Sequence, residues 1–94
     1  MSEINNLNGK TDLSIIIINY NLSKEIEDCL NSLLLVLDSL KDFRCEIIIV
    51  DNNSPDKKLP ETEKKFNRDS ISFFYLDENV GFGKGCNFGF SKAS

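Results

Sequence analysis

Ile15-Ile16-Ile17-Ile18 runs into Asn19-Tyr20-Asn21, and Ile47-Ile48-Ile49-Val50 runs into Asp51-Asn52-Asn53-Ser54. Unbroken Ile and Val without polar alternation suits a strand covered on both faces, as in a parallel sheet packed between helices. In such sheets ligands bind beyond the carboxyl ends of the strands. Both polar tips stand at carboxyl ends. If the two strands are parallel neighbours, the tips share one rim.

Working outward, the first strand is expected over about Leu13 to Asn19. A helix follows over roughly Ser23 to Leu40, with Ile26, Leu30, Leu33, Leu34, Leu37 and Leu40 spaced by three and four, so that one stripe faces the sheet. Glu25, Glu27 and Asp28 fall in its early turns, where the helix dipole favours them, and Asn21 or Ser23 is the expected cap. The second strand is expected from Cys45 to Val50. Ser54-Pro55-Asp56 is a turn signal, and Pro60 to Phe66 reads as a short surface helix. A third strand, Ile71 to Leu76, ends in Asp77-Glu78-Asn79. Gly81, Gly83, Gly85 and Gly89 follow, leading into a helix near Lys84 to Ala93.

This alternation specifies the α/β class: a three-layer sandwich with a mostly parallel sheet and helices on its faces. The expected core is Ile15 to Ile18, Leu30, Leu33, Leu34, Leu37, Ile47 to Val50, Phe74 and Leu76. Residues 1–11 read as a flexible polar lead and 12–94 as one small domain. With no fourth strand after the last helix, the domain reads as the front part of a larger one.

Composition narrows the function classes. The chain has 94 residues, 40% of them hydrophobic and 28% charged, which argues against disorder. Its net charge of −4 and lack of a basic stripe argue against a nucleic-acid groove. No apolar stretch approaches the roughly 20 residues that span a bilayer, and no secretory leader is evident. Cys29, Cys45 and Cys86 are odd in number, widely spaced and unaccompanied by histidine. They read as reduced, mostly buried thiols rather than as a zinc site, and the location expected is cytoplasmic. The sequons at Asn21 and Asn52 read as chance matches.

The rim residues Asn19, Tyr20, Asn21, Asp51, Asn52 and Asn53 combine a phenol, a carboxylate and several amides. An aromatic ring stacks on a base; a carboxylate accepts from a base N–H or a ribose hydroxyl; amides do either. That set suits a nucleotide. The plainer account is that Asn and Asp cap helices and make turns after strands. The glycine-rich segment fails as a dinucleotide fingerprint, since Cys86 stands where the last glycine belongs, and fails as a phosphate-binding Gly-Lys-Ser/Thr loop. It remains either an anion-holding turn before a helix, with Lys84 nearby, or a turn that needs positive φ. Glu25-x-Glu27 and Glu61-x-Glu63 read as solvated faces.

Taken together, Asp12 to Asn21, then Glu46 to Ser54 with Asp56, then Asn79-Val80-Gly81-Phe82-Gly83-x-Gly85-x-Asn87-x-Gly89 resemble the start of family 2 glycosyltransferases with the GT-A fold. The Asp-Asn-Asn-Ser form and the Gly-Phe-Gly loop look most like the branch that includes rhamnosyltransferases and galactofuranosyl-type transferases. The resemblance implies the N-terminal half of that fold, carrying the donor-nucleotide part of an enzyme of polysaccharide biosynthesis. Sugar would pass from a UDP- or dTDP-linked donor to a glycan or lipid-linked acceptor, often at the inner membrane face. It implies base-pocket roles for Asn19, Tyr20 and Asn21, acceptance from base or ribose by Asp51 with Asn53 nearby, and approach to the donor by Gly81, Gly83, Lys84 and Asn87. It also implies a divalent metal, Mn²⁺ or Mg²⁺, held by an Asp-x-Asp that this chain lacks. No catalytic residue and no metal ligand are expected here, and this chain alone is expected to transfer no sugar. The first strand would lie inside the family's sheet; here its edge is expected to pair with a second copy. The first rival is a non-catalytic α/β module or relic that assembles through that edge; the second, another nucleotide-binding α/β protein such as a nucleotidyltransferase or dehydrogenase half, is disfavoured by the failed fingerprints.

Overall fold

A computed structural model describes residues 11–94. Six elements follow one another: β1 (Leu13–Asn19), α1 (Ser23–Leu37), β2 (Cys45–Asp51), α2 (Leu59–Glu63), β3 (Ile71–Tyr75) and α3 (Phe82–Lys92). The strands form one parallel sheet in the order β1-β2-β3. Registers run Leu13 opposite Cys45 through Asn19 opposite Asp51, and Ile47 opposite Ile71 through Asp51 opposite Tyr75. The α/β class read from the sequence is the one observed.

Side-chain alternation along each strand divides the core between two layers. Ile47, Ile49 and Ile71 are buried with Ile26 and Leu30 of α1, Leu59 of α2 and Phe66, with Ile15, Ile17, Leu33, Leu34, Leu37 and Phe73 packed against them. The opposite face meets α3. Gly89 abuts Ile16 and Val50, and Phe88 meets Phe74 edge-on at 5.7 Å between ring centroids. Ile47 to Val50 are fully buried because β2 is central, with a strand on each side. Ile15 to Ile18 are only half-buried, because β1 is paired on one side among the described residues.

Several expectations need correction. Helix α1 stops at Leu37, leaving Leu40 46% exposed. The chain tightens there: Ser39 N–H bonds to the Val36 carbonyl and Leu40 N–H to the Leu37 carbonyl, both at 3.1 Å. Arg68 also holds the side chain of Asp38, the residue that ends the helix, through two hydrogen bonds of 2.9 and 3.0 Å. Neither Asn21 nor Ser23 caps α1. Leu22 occupies that position, and its N–H donates to Asn19 Oδ1 at 3.0 Å. The short helix is a single turn, and Phe66 is buried just beyond it. The cysteines are not mostly buried: Cys29 is exposed and Cys45 and Cys86 are half-buried. Burial, then Glu46 nearby, raises the Cys45 thiol above its ordinary pKa, so it stays protonated. The acidic pairs are partly engaged rather than merely solvated. Glu27 pairs with Lys65 at 3.2 Å, and Glu63 accepts from the Tyr75 hydroxyl at 2.6 Å. Apart from Thr11, the expected lead lies outside the described residues. The Thr11 and Ser94 hydroxyls hydrogen-bond at 2.6 Å, and Asp12 N–H bonds to the Arg44 carbonyl at 2.8 Å.

Candidate functional site

The strand tips do share one rim. Register sets Asn19 beside Asp51, and Asn19 Nδ2 donates to Asp51 Oδ1 at 2.7 Å. Ser54 closes the cluster. Its hydroxyl donates to Asp51 Oδ1 at 2.6 Å and accepts from Asn19 Nδ2 at 3.1 Å and from the Asn21 N–H at 3.0 Å. Its own N–H donates to Asp51 Oδ2 at 3.0 Å. Asn19 and Ser54 are essentially inaccessible, and Asp51 is 6% exposed. A carboxylate so buried, with no cation against it among the described residues, is sustained by such donors: each hydrogen bond offsets part of the desolvation cost. Among the described residues, Oδ1 takes two donors and Oδ2 takes one, which leaves Oδ2 an acceptor direction.

Around this buried centre the other candidates spread outward. Tyr20 is 43% exposed at the rim. Asn21 has φ of +58° and turns its side chain to a neighbouring loop, where Oδ1 accepts the Asp56 N–H at 3.1 Å. Asn53, at φ +59°, accepts from Lys57 Nζ at 3.3 Å. Asparagine tolerates this left-handed backbone better than most residues, which suits both positions.

The third tip is tied in through Asn52. Its Oδ1 accepts the Val80 N–H at 2.8 Å, and its Nδ2 donates to the Gly81 carbonyl at 3.0 Å. Gly81 adopts φ +88° with ψ 166° as the residue before α3, a conformation that glycine alone enters without strain. The other glycines answer differently from the loop expected. Helix α3 starts at Phe82, so Gly83, Lys84, Gly85 and Asn87 are helical. Gly85 and Gly89, one turn apart, are its buried face. Gly83, Lys84 and Asn87 are exposed on it.

Sequence reasoning missed two participants, and it named Asn52 as a rim residue without its link to the third tip. Ser54 was visible only as a turn residue after a strand, and its partners Asn19 and Asn21 lie far away along the chain. Tyr75 stands opposite Asp51 in register and is 43% exposed. Burial, then the Glu63 carboxylate that it contacts, pushes its phenol pKa up, so it remains a hydrogen-bond donor. A groove beside α2 and β3, lined by Pro60, Phe66, Arg68 and Ile71, lies away from this rim and contains none of the candidate residues.

No three His, Cys, Asp or Glu side chains gather to hold a cation among the described residues. Asp51, the buried carboxylate of the rim, is already committed to three donors, which does not suit it to a divalent metal. No helix among the described residues is long and apolar enough to cross a membrane.

No curated protein matches the chain. The model of one protein family, Glycosyl transferase family 2, matches residues 14–94, a span that covers the six elements except for Leu13 and includes every candidate rim residue. Its parallel strands alternating with helices agree with the N-terminal part of the GT-A fold, and the chain therefore belongs to glycosyl transferase family 2, a family of sugar-transferring enzymes.

Proposed function

We propose that this chain forms the donor-nucleotide part of a glycosyltransferase that passes sugar from a UDP- or dTDP-linked donor to a glycan or lipid-linked acceptor, in the rhamnosyltransferase-like branch. The observation that carries this reading is the joining of the two strand tips through Asn19 and Asp51 at 2.7 Å, with Tyr20 exposed beside them. In this reading Tyr20 stacks on the base, and the free direction at Asp51 Oδ2 accepts a base N–H or ribose hydroxyl. Asn19 orients Asp51 rather than meeting the ligand, since it is fully buried. Asn21 and Asn53 border the pocket. Gly81, Gly83, Lys84 and Asn87 face the donor from the start of α3, where N–H groups and a lysine favour an anion. The role assigned to this chain is binding; no residue is assigned the proton transfer that the acceptor hydroxyl requires. The compartment proposed is the cytoplasm, at the inner membrane face.

A protein-observed NMR titration with UDP, dTDP and NAD, each with and without Mn²⁺, tests this. Amide shifts at Tyr20, Asp51 and Asn53 with UDP or dTDP, and weaker ones with NAD, are expected. Equal responses to all three, or none, would overturn the reading.

A second reading, a module that assembles through its sheet edge, draws on β1. Leu13 N–H bonds to the Arg44 carbonyl at 3.1 Å and the Asn19 carbonyl accepts the Asn52 N–H at 2.9 Å. Odd positions of β1 therefore serve β2, and the backbone groups of Ser14, Ile16 and Ile18 turn to the open edge. Those positions are symmetric about Ile16, so a second copy can add antiparallel there, and β1 carries no charge to oppose it. Sedimentation velocity over a wide concentration range is expected to show association. A monomer at the highest concentration counts against this partner.

A further inference from the structure

We infer that Asn52 is a positioning residue that sets the separation between the base-facing tips and the turn before α3, and so matches the rim to a nucleoside diphosphate rather than to a nucleoside. The inference rests on the nucleotide reading above. Asn52 is 3% exposed, so its side chain does not meet the ligand. Instead it bridges the tips. Its backbone N–H donates to the Asn19 carbonyl at 2.9 Å, which fastens it to the end of β1. Its side chain takes the Val80 N–H and gives a hydrogen to the Gly81 carbonyl. Its preceding neighbour Asp51 accepts the Leu76 N–H at 2.9 Å through its carbonyl, which holds the end of β3 to the same point.

The chemistry requires an amide. Val80 presents a donor and Gly81 an acceptor, and only a side chain with both functions satisfies the two at once. Aspartate lacks the donor and leucine lacks both. The Gly81 carbonyl also accepts the Gly85 N–H at 3.0 Å, so the bond to Asn52 anchors the first turn of α3 together with the turn that precedes it. A Cβ at Gly85 would lie 3.5 Å from Asn52 Nδ2, which shows how closely the amide is seated under the helix. The direction taken by the N–H groups of Gly83 and Lys84 is thus set from the tip of β2. A ligand whose base lies at Asp51 and whose phosphates lie at α3 feels that distance; a nucleoside does not.

The test compares uridine with UDP, and thymidine with dTDP, by NMR on the wild type, Asn52→Ala and Asn52→Asp. Asn52→Asp keeps the acceptor for the Val80 N–H and loses the donor to the Gly81 carbonyl, and it carries the test if Asn52→Ala does not fold. In the wild type the diphosphate is expected to bind about tenfold tighter than its nucleoside, as one or two charge-assisted hydrogen bonds supply. In either variant that ratio is expected to fall to near one, with the nucleoside affinity changed by less than about twofold. Shifts at Tyr20 and Asn53 should persist while those at Gly83 and Lys84 vanish. An unchanged ratio in a folded variant, or loss of nucleoside and diphosphate binding together, overturns the positioning role. Failure of the wild type to bind any of the four ligands instead overturns the nucleotide reading on which it rests.

Discussion

Gly89→Leu leaves the chain unfolded at room temperature, and Gly89→Ala is measurably destabilised. A Cβ at Gly89 would lie 2.6 Å from Ile16 Cγ2 and 3.3 Å from Val50 Cγ2. Both contacts are methyls of β-branched side chains, which have little rotamer freedom to yield. Val50 is fully buried in the central strand, so α3 must lift off the sheet. Overpacking of this kind costs typically about 1–3 kcal/mol. Alanine returns up to about 1 kcal/mol through better helix propensity, so the clash wins for Ala by a small margin. Leucine adds several further atoms and no further compensation. Gly83 supplies the control. It lies in the same helix, with nothing within 4 Å of its would-be Cβ. Gly83→Ala should gain about 0.5–1 kcal/mol, so the two alanine variants move the melting temperature in opposite directions. Thermal unfolding followed by circular dichroism reads both. Equal shifts for Gly83→Ala and Gly89→Ala would mean that α3 does not seat on the sheet through Gly89.

Asp51→Ala lowers stability by about 3 kcal/mol and abolishes any response of the rim to nucleotide. Three donors lose their acceptor: Asn19 Nδ2, the Ser54 hydroxyl and the Ser54 N–H. Each buried group left unpaired costs about 1–3 kcal/mol, and repairing them with water requires opening a site in which Asn19 and Ser54 are inaccessible. Removal of a buried charge returns part of that cost, which keeps the net near the lower end. The binding loss has a separate origin, because the free acceptor direction at Oδ2 disappears with the carboxylate. Asp51→Asn should fall between the wild type and Asp51→Ala, since its amide keeps one acceptor but turns a donor toward Ser54 N–H or Asn19. Urea midpoints order the three proteins. A midpoint for Asp51→Ala equal to that of the wild type would show that the network does not hold the tips together.

Much of this was legible because it depends on near neighbours. The strands were marked by Ile and Val runs that suit burial on both faces. Helix α1 was marked by its three-and-four spacing, and its overextension to Leu40 came from an apolar residue that fits the stripe but follows the turn. The shared rim was legible because two runs of equal character end in polar tips at the same end of a parallel pair.

The glycine segment shows where such reading stops. Its residues favour turns on propensity, and only Gly81 has the positive φ that this implies. Gly85 and Gly89 are helical where close packing on Ile16, Ile18 and Val50 outweighs propensity, and Gly83 lies in the same helix with open space beside it. The cysteines misled for a related reason: Cys29 is exposed on α1, in a shallow pocket with Ile17 and Ile18 of β1, and burial preference is an average that no single position must obey.

Element type, order and the α/β class follow from spacing and composition along short stretches, where the forces are local. The pairing of Asn19 with Asp51 and Ser54, the span of Asn52 from β1 to α3, and the seating of Gly85 and Gly89 join residues some 30 to 70 positions apart. Those contacts depend on register, which sets whether a polar side chain meets a partner or water. A buried amide or carboxylate is stable only where its partners arrive together, and that coincidence exists only in the folded chain.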